Sequence, residues 1–147
     1  MNLSLNFTLE ELMATSTGHL NWPDEPMEVA VNLTKLAILI LQPIRDRWGA
    51  LQITSGFRSW AVNGAVGGSS SSQHCFGEAA DFVPLDADID NVFKWIVKGS
   101  GLQYGQCIKE SISGRRWIHI SLPREGRTNQ EALVYDGKTY QSFVRGA

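Results

Sequence analysis

At 147 residues, 43% hydrophobic and 19% charged, the chain is long enough for one packed core and too apolar to be wholly disordered. Thirteen Lys and Arg against fifteen Asp and Glu give a net charge of -2, without the basic excess that phosphate binding needs, so nucleic acid is not an expected partner. The longest aliphatic run, Leu36 to Leu41, has six residues against the ~20 that a bilayer requires, so no membrane span is expected.

The start, Met1-Asn2-Leu3-Ser4, has no basic segment, and Glu10 and Glu11 interrupt any apolar stretch, so no secretory leader is expected either. Thr8 to Thr15 opens with a capping box in which the Thr8 hydroxyl accepts from the first turn of a short helix. Asn21-Trp22-Pro23-Asp24 reads as a loop. From about Pro26 the residues Ala30, Leu33, Ala37, Ile40, Leu41, Ile44 and Trp48 recur at steps of three and four, one buried helical face stopped by Gly49. Pro43 is expected to bend or break its last turns, because it lacks an N–H and crowds the carbonyl four residues back.

Leu51 to Ser55 alternates like a strand, and Ser59 to Val66 suits a short helix. Gly67-Gly68-Ser69-Ser70-Ser71-Ser72 has linker composition, but the densest polar cluster follows it at once, so it is read as a loop bordering a site. Ala79 to Val83 is a buried strand, and Asp88 or Asp90 caps a helix that buries Val92, Phe93, Ile96 and Val97. Gln106 to Glu110 and Arg116 to Leu122 form a hairpin about Ser113-Gly114; Ala132 to Tyr135 and Thr139 to Phe143 form another about Asp136-Gly137. Helices come first and mainly antiparallel strands later, so the expected class is α+β, with residues 1–147 as one domain and 123–147 finishing the sheet.

Three histidines are present. In Trp117-Ile118-His119-Ile120-Ser121 the strand period puts the isoleucines on the core face and turns His119 away from it. His74 and Asp81 are seven residues apart, too far for neighbouring turns of one helix. They can converge if Gly77 turns the chain and Asp81 lies on the following strand. With His119 they would make two nitrogens and one oxygen, a set suited to Zn²⁺ with its fourth position open. His19 has no partner at ligand spacing. Cys75 and Cys107 are the only cysteines; one disulfide between them is possible, and free buried thiols are the favoured expectation in a reducing cytoplasm.

Ser72-x-His74-x-x-Gly77-x-Ala79-x-Asp81, followed by Trp117-x-His119, resembles the zinc D-alanyl-D-alanine carboxypeptidase family, which includes phage peptidoglycan endopeptidases and shares its core fold with the hedgehog signalling domain. Phe7-Thr8-Leu9-Glu10-Glu11-Leu12, the Leu33 to Arg45 helix, Ser55-Gly56-Phe57-Arg58-Ser59 and Asn63-x-Ala65-Val66-Gly67-Gly68 resemble its phage and prophage branch, so roughly residues 7–121 are covered. The resemblance implies a hedgehog-like fold, a mainly antiparallel sheet packed on helices, with one zinc per chain on His74, Asp81 and His119.

It also implies that Arg58 contacts a substrate carboxylate or carbonyl oxygen. Ser72 is read as bonding either the substrate or its own loop backbone. Many members carry an acid three residues before the last ligand, where this chain has Arg116. Glu110 resembles the glutamate that the phage branch carries at the end of the preceding strand, and it is the expected general base; Glu78 is a weaker candidate. Gln73 has no assigned role. Trp48 and Trp95 are expected in the core, with Trp60 and Trp117 lining the cleft.

The implied activity is hydrolysis of an amide in a peptidoglycan stem peptide, D-Ala–D-Ala or L-Ala–D-Glu, by a monomer of endolysin type. Such a protein would accumulate in the cytoplasm before release to the cell wall, or ride on a virion. The rival reading is a non-catalytic zinc-containing wall-binding or phage structural module, which the missing acid before His119 favours.

Overall fold

The computed structural model describes residues 1–143. Helix α1 (Leu9–Met13) is capped as its sequence requires, with Thr8 Oγ1 accepting from the Glu11 N–H at 3.1 Å. From Pro26 to Trp48 the chain is one continuous helix of 23 residues. It is built from α2 (Pro26–Leu36), a π-helical turn (Ala37–Leu41) and α3 (Gln42–Trp48).

Pro43 does not break this helix. The wide turn before it shifts the ladder by one residue, so that the Gln42 N–H bonds to the Ala37 carbonyl. Such a bulge gives the proline ring room within the ladder, so the helix runs on through Pro43 and loses only the one ladder bond that its missing N–H cannot make.

The run-length reading of membrane potential needs correcting at the same helix. Read across its polar residues, Pro26–Trp48 is long and apolar enough to cross a membrane by length and composition, with a mean hydropathy of 1.4. Its inner face is a core face: Val29, Leu33, Leu36, Ala37, Ile40, Leu41 and Ile44 are buried in the main hydrophobic cluster.

Strand β1 (Leu51–Ser55) follows, then α4 (Trp60–Ala65), a 3-10 turn (Gln73–Phe76) and β2 (Ala79–Pro84). Helix α5 (Ile89–Lys98) is capped by Asp88, which accepts from the N–H groups of Asp90 and Asn91. The chain ends in β3 (Gln106–Ile112), β4 (Arg115–Ser121), β5 (Glu131–Tyr135) and β6 (Tyr140–Ser142). Both expected hairpins form.

The six strands make one sheet in the order β1-β2-β4-β3-β5-β6. All neighbours are antiparallel except β3 and β5, which run parallel. The class is α+β as expected, and the last two strands extend the sheet; residues 144–147 of that expectation lie outside the described residues.

Strand alternation divides the sheet's chemistry. Ala80, Phe82, Cys107, Ile118 and Ile120 point into the core with the long helix and α5. Asp81, Ile108, Glu110 and His119 point to the opposite face, where they line one cavity. Register places them side by side: Asp81 opposite His119, His119 opposite Ile108, and Glu110 opposite Trp117.

Candidate metal centre

Two glycines let the backbone reach the site. A Cβ on Gly56 would lie 2.1 Å from the Leu12 carbonyl oxygen, so only glycine permits this crossing. The same residue turns its own carbonyl to His74, whose Nδ1 lies 2.8 Å from it. At the other end of the loop Gly77 takes φ +74° and stops the 3-10 turn, and a Cβ there would press on the Val29 carbonyl oxygen at 2.8 Å. The chain then reverses into β2 and delivers Asp81 beside the imidazole. This is the turn that the His74-to-Asp81 spacing requires.

Three ligand atoms converge. His119 Nδ1 lies 2.9 Å from Asp81 Oδ1 and 3.2 Å from His74 Nε2, and His74 Nε2 lies 3.3 Å from Asp81 Oδ1. A tetrahedral zinc with bonds of ~2.0–2.1 Å separates its ligand atoms by roughly 3.3 Å. These spacings therefore suit one small cation.

The donor set agrees. His74 Nδ1 donates to the Gly56 carbonyl, which leaves Nε2 as a lone pair facing a second imidazole nitrogen and a carboxylate oxygen. With both rings neutral, the three facing atoms have at most one N–H among them, so lone pairs outnumber protons at the point where they meet. Among the described residues these three form the one His/Cys/Asp/Glu group that could hold a metal ion.

Electrostatics follow the geometry. His74 is fully enclosed; burial lowers its pKa against the pull of Asp81, which favours the neutral ring that a metal needs. Burial would raise Asp81, but the neighbouring imidazoles outweigh it and hold the carboxyl well below the usual carboxylate range. Glu110 is raised, first by burial and then by the Asp81 charge, with His119, Trp117 and Arg58 opposing. A carboxyl moved upward is better matched to taking a proton near neutral pH.

The other expected residues fall as follows. Arg58 lines the cavity, but its guanidinium is engaged: Nε donates to Ser55 Oγ at 3.0 Å and Nη2 to Asp81 Oδ2 at 3.2 Å. Asp81 thus offers Oδ1 to the imidazoles while Arg58 fixes Oδ2. The Ser72 hydroxyl accepts from the His74 N–H at 3.3 Å and borders the cavity with Gly67, Gly68, Ser69 and Ser71 of the Gly-Ser loop. That loop is a site wall rather than a linker.

Gln73, left unassigned by sequence, holds the loop with its amide on Glu78 and on the Leu122 carbonyl. Glu78 is itself paired with Arg124 at 2.8 Å and does not line the cavity, which removes it as an alternative base. Arg116 points to the helix side and meets Asp90.

Cys75 and Cys107 are free and buried, and neither joins the cluster. His19 lies on an exposed loop. Trp48 and Trp95 pack edge to face at 6.2 Å against the core. Trp60 is in a neighbouring cavity with Trp22 and Phe76 instead of the main cleft, and Trp117, the cross-strand partner of Glu110, does not line the cleft. The expected tryptophan-lined cleft does not form: Trp117 shares the His119 face of β4 but lies two residues nearer the hairpin turn, outside the cavity lining.

A family model for peptidase M15 matches residues 5–121. The chain belongs to the peptidase M15 family. The match spans every element from α1 to β4 and all three converging ligand residues, and it makes the protein a metallopeptidase. A search of curated proteins found no match.

Sequence reasoning did not single out four further cavity residues, Gln106, Ile108, Arg127 and Tyr140. The last two flank β5, in the loop before it and on β6, and are brought to the cleft by its parallel pairing with β3, a long-range pairing with no local signal. The stacked pair Tyr135–Tyr140, 4.3 Å apart, could have been read from the hairpin, but its place over the cleft could not.

Proposed function

We propose that this M15 metallopeptidase is a zinc enzyme that hydrolyses an amide bond of a peptidoglycan stem peptide, D-Ala–D-Ala or L-Ala–D-Glu, as a lysin of phage or prophage type. The observation that carries the reading is the meeting of His74 Nε2, Asp81 Oδ1 and His119 Nδ1 on the wall of a cavity of about 440 Å³ shared with Glu110. His74, Asp81 and His119 would hold the metal. When bound there, zinc acidifies water and polarises a carbonyl, the two effects that amide hydrolysis needs.

The residues of the chain supply the rest. Glu110 takes the proton of the attacking water as its oxygen bonds to the scissile carbonyl carbon. It returns that proton to the nitrogen as the C–N bond breaks. Arg58 keeps Asp81 in register and turns its remaining N–H groups to the substrate oxygen, where developing charge is stabilised. Ser72 fixes the His74 loop and contacts the peptide backbone. The working unit is one chain with one zinc, accumulated in the cytoplasm and acting on the wall after release, or carried there on a virion.

One observation favours a second reading, a non-catalytic zinc-containing wall-binding or phage structural module: the position three before His119 holds Arg116, turned away to Asp90. Mass spectrometry of digested sacculi separates the two. Release of D-Ala, or new D-Glu amino termini, supports hydrolysis and names the bond. Binding to sacculi with no new amino groups overturns it. Metal analysis should give one zinc per chain, lost in His74→Ala.

A further inference from the structure

We infer that Arg127 is a substrate-recognition residue that binds a peptide carboxylate lying outside the bond that is cut; the inference rests on the peptidase reading above. Two guanidinium groups, Arg58 and Arg127, line the cavity that holds the three ligands. Arg58 already pairs its charge with Asp81 and holds Ser55, which leaves its remaining N–H groups for the oxygen at the scissile bond. Arg127 donates from Nη2 to the Ser71 carbonyl at 3.3 Å, and no carboxylate among the described residues pairs with it. Most of its five N–H donors are therefore available, in a planar fork that fits a carboxylate.

The neighbouring polar side chains do not compete for that role. Gln73 commits its amide N–H groups to Glu78 and the Leu122 carbonyl, and Gln106 commits one to Glu131; both amides are uncharged. Arg124, three residues earlier in the same loop, shows the engaged alternative: it pairs with Glu78 and lies 4.5 Å over the Phe76 ring.

The loop presenting Arg127 is well fastened. The Asn129 side chain accepts from the Arg124 N–H at 2.9 Å and donates to the Arg124 carbonyl at 3.1 Å. The Arg127 N–H closes a turn onto the same carbonyl. Gln130 accepts from the Tyr104 N–H at 2.8 Å and donates to the Leu102 carbonyl at 3.2 Å. The backbone that carries the exposed Arg127 side chain is thus fixed before a ligand arrives, so binding need order only the side chain and not the loop.

Arg127 also borders a second depression of about 260 Å³, shared with Gln106, Thr128 and Asn129. A peptide extending from the metal centre past Arg127 enters it. Stem peptides carry carboxylates beside their amide links, and the geometry assigns one of these to Arg127.

The test is calorimetric binding to zinc-loaded chain silenced by Glu110→Gln, with and without Arg127→Ala or Arg127→Lys. The probes are the pentapeptide L-Ala–γ-D-Glu–L-Lys–D-Ala–D-Ala and its analogue with every carboxylate amidated. Arg127→Ala should weaken the acid peptide by roughly tenfold and leave the amide peptide unchanged. Arg127→Lys should keep part of the affinity.

Equal loss for both peptides would mean that Arg127 only shapes the loop through Ser71. That outcome, an unchanged acid affinity, or no binding of the acid peptide by the Arg127-containing chain overturns the inference. The peptidase reading is judged apart, by wild-type digestion of sacculi. Digestion with no Arg127 effect defeats this proposal alone, and an acid-selective Arg127 effect without digestion defeats only the hydrolase.

Discussion

Replacing Gly56 by alanine perturbs fold and site through one atom. The new Cβ would stand 2.1 Å from the Leu12 carbonyl oxygen, 2.9 Å from its carbon and 3.0 Å from the Leu12 Cα, all backbone atoms that cannot swing aside. An unstrained carbon–oxygen contact needs roughly 1 Å more than the first of these. That displacement breaks the bond from the Phe57 N–H to the same Leu12 oxygen, now 2.7 Å. Overpacking of this kind costs about 1–3 kcal/mol, and the lost hydrogen bond about 1 kcal/mol.

For a chain of this size the sum lowers the melting temperature by roughly 6–15 °C. The Gly56 carbonyl moves too, and it is the group that orients His74 through Nδ1. Loss of such an orienting partner weakens zinc by about tenfold or more. Scanning calorimetry of metal-free protein and competitive zinc titration measure the two effects. Gly64→Ala is the control: nothing lies within 4 Å of the added atom, and the helix gains up to about 1 kcal/mol. A Gly56→Ala protein melting within about 2 °C of its parent, with unchanged zinc affinity, would refute the reasoning.

Glu110→Gln should retain zinc and lose about 10²–10⁴-fold in turnover on the cleaved peptide; full activity would move the base elsewhere. The same variant tests the raised carboxyl, because ionised Glu110 costs the fold stability as pH rises through its raised pKa. Metal-free Glu110→Gln should therefore melt above its parent at pH 7, with the gap closing toward pH 4, and a gap independent of pH would sink the assignment. In that background acid should destabilise in two stages. The lowered pKa of His74 gives stability that is complete above about pH 6.5 and lost below it, and that of Asp81 gives stability complete above about pH 4 and lost further down. Urea midpoints that stay flat from pH 7.5 to 3.5 would contradict this. Ellman's reagent should find no reactive thiol in the native chain, because burial raises both Cys75 and Cys107, and two in denaturant. Absence of reactive thiols in denaturant would reveal a disulfide instead.

Much of this molecule was legible in its sequence because the deciding interactions are local. Thr8 and Asp88 cap helices a residue or two away, Asp136-Gly137 closes a hairpin on itself, and the period of two on Ile118, His119 and Ile120 sends the histidine away from the core. The ligand trio could be named because Gly77 reverses the chain within a few residues of both His74 and Asp81.

Tertiary structure alone decided what depends on partners remote in the chain. Gly56 must be glycine because Leu12 crosses it, Arg58 is held on Asp81 and Ser55, and Arg127 and Tyr140 reach the cleft only because β5 returns parallel to β3. The helix likewise survives Pro43 by widening a turn, with its inner face packed in the core. Periodicity and capping record what a residue does to its near neighbours. Closure of a long loop and the choice of strand partner are set by the whole chain's packing, and no short stretch of sequence carries them.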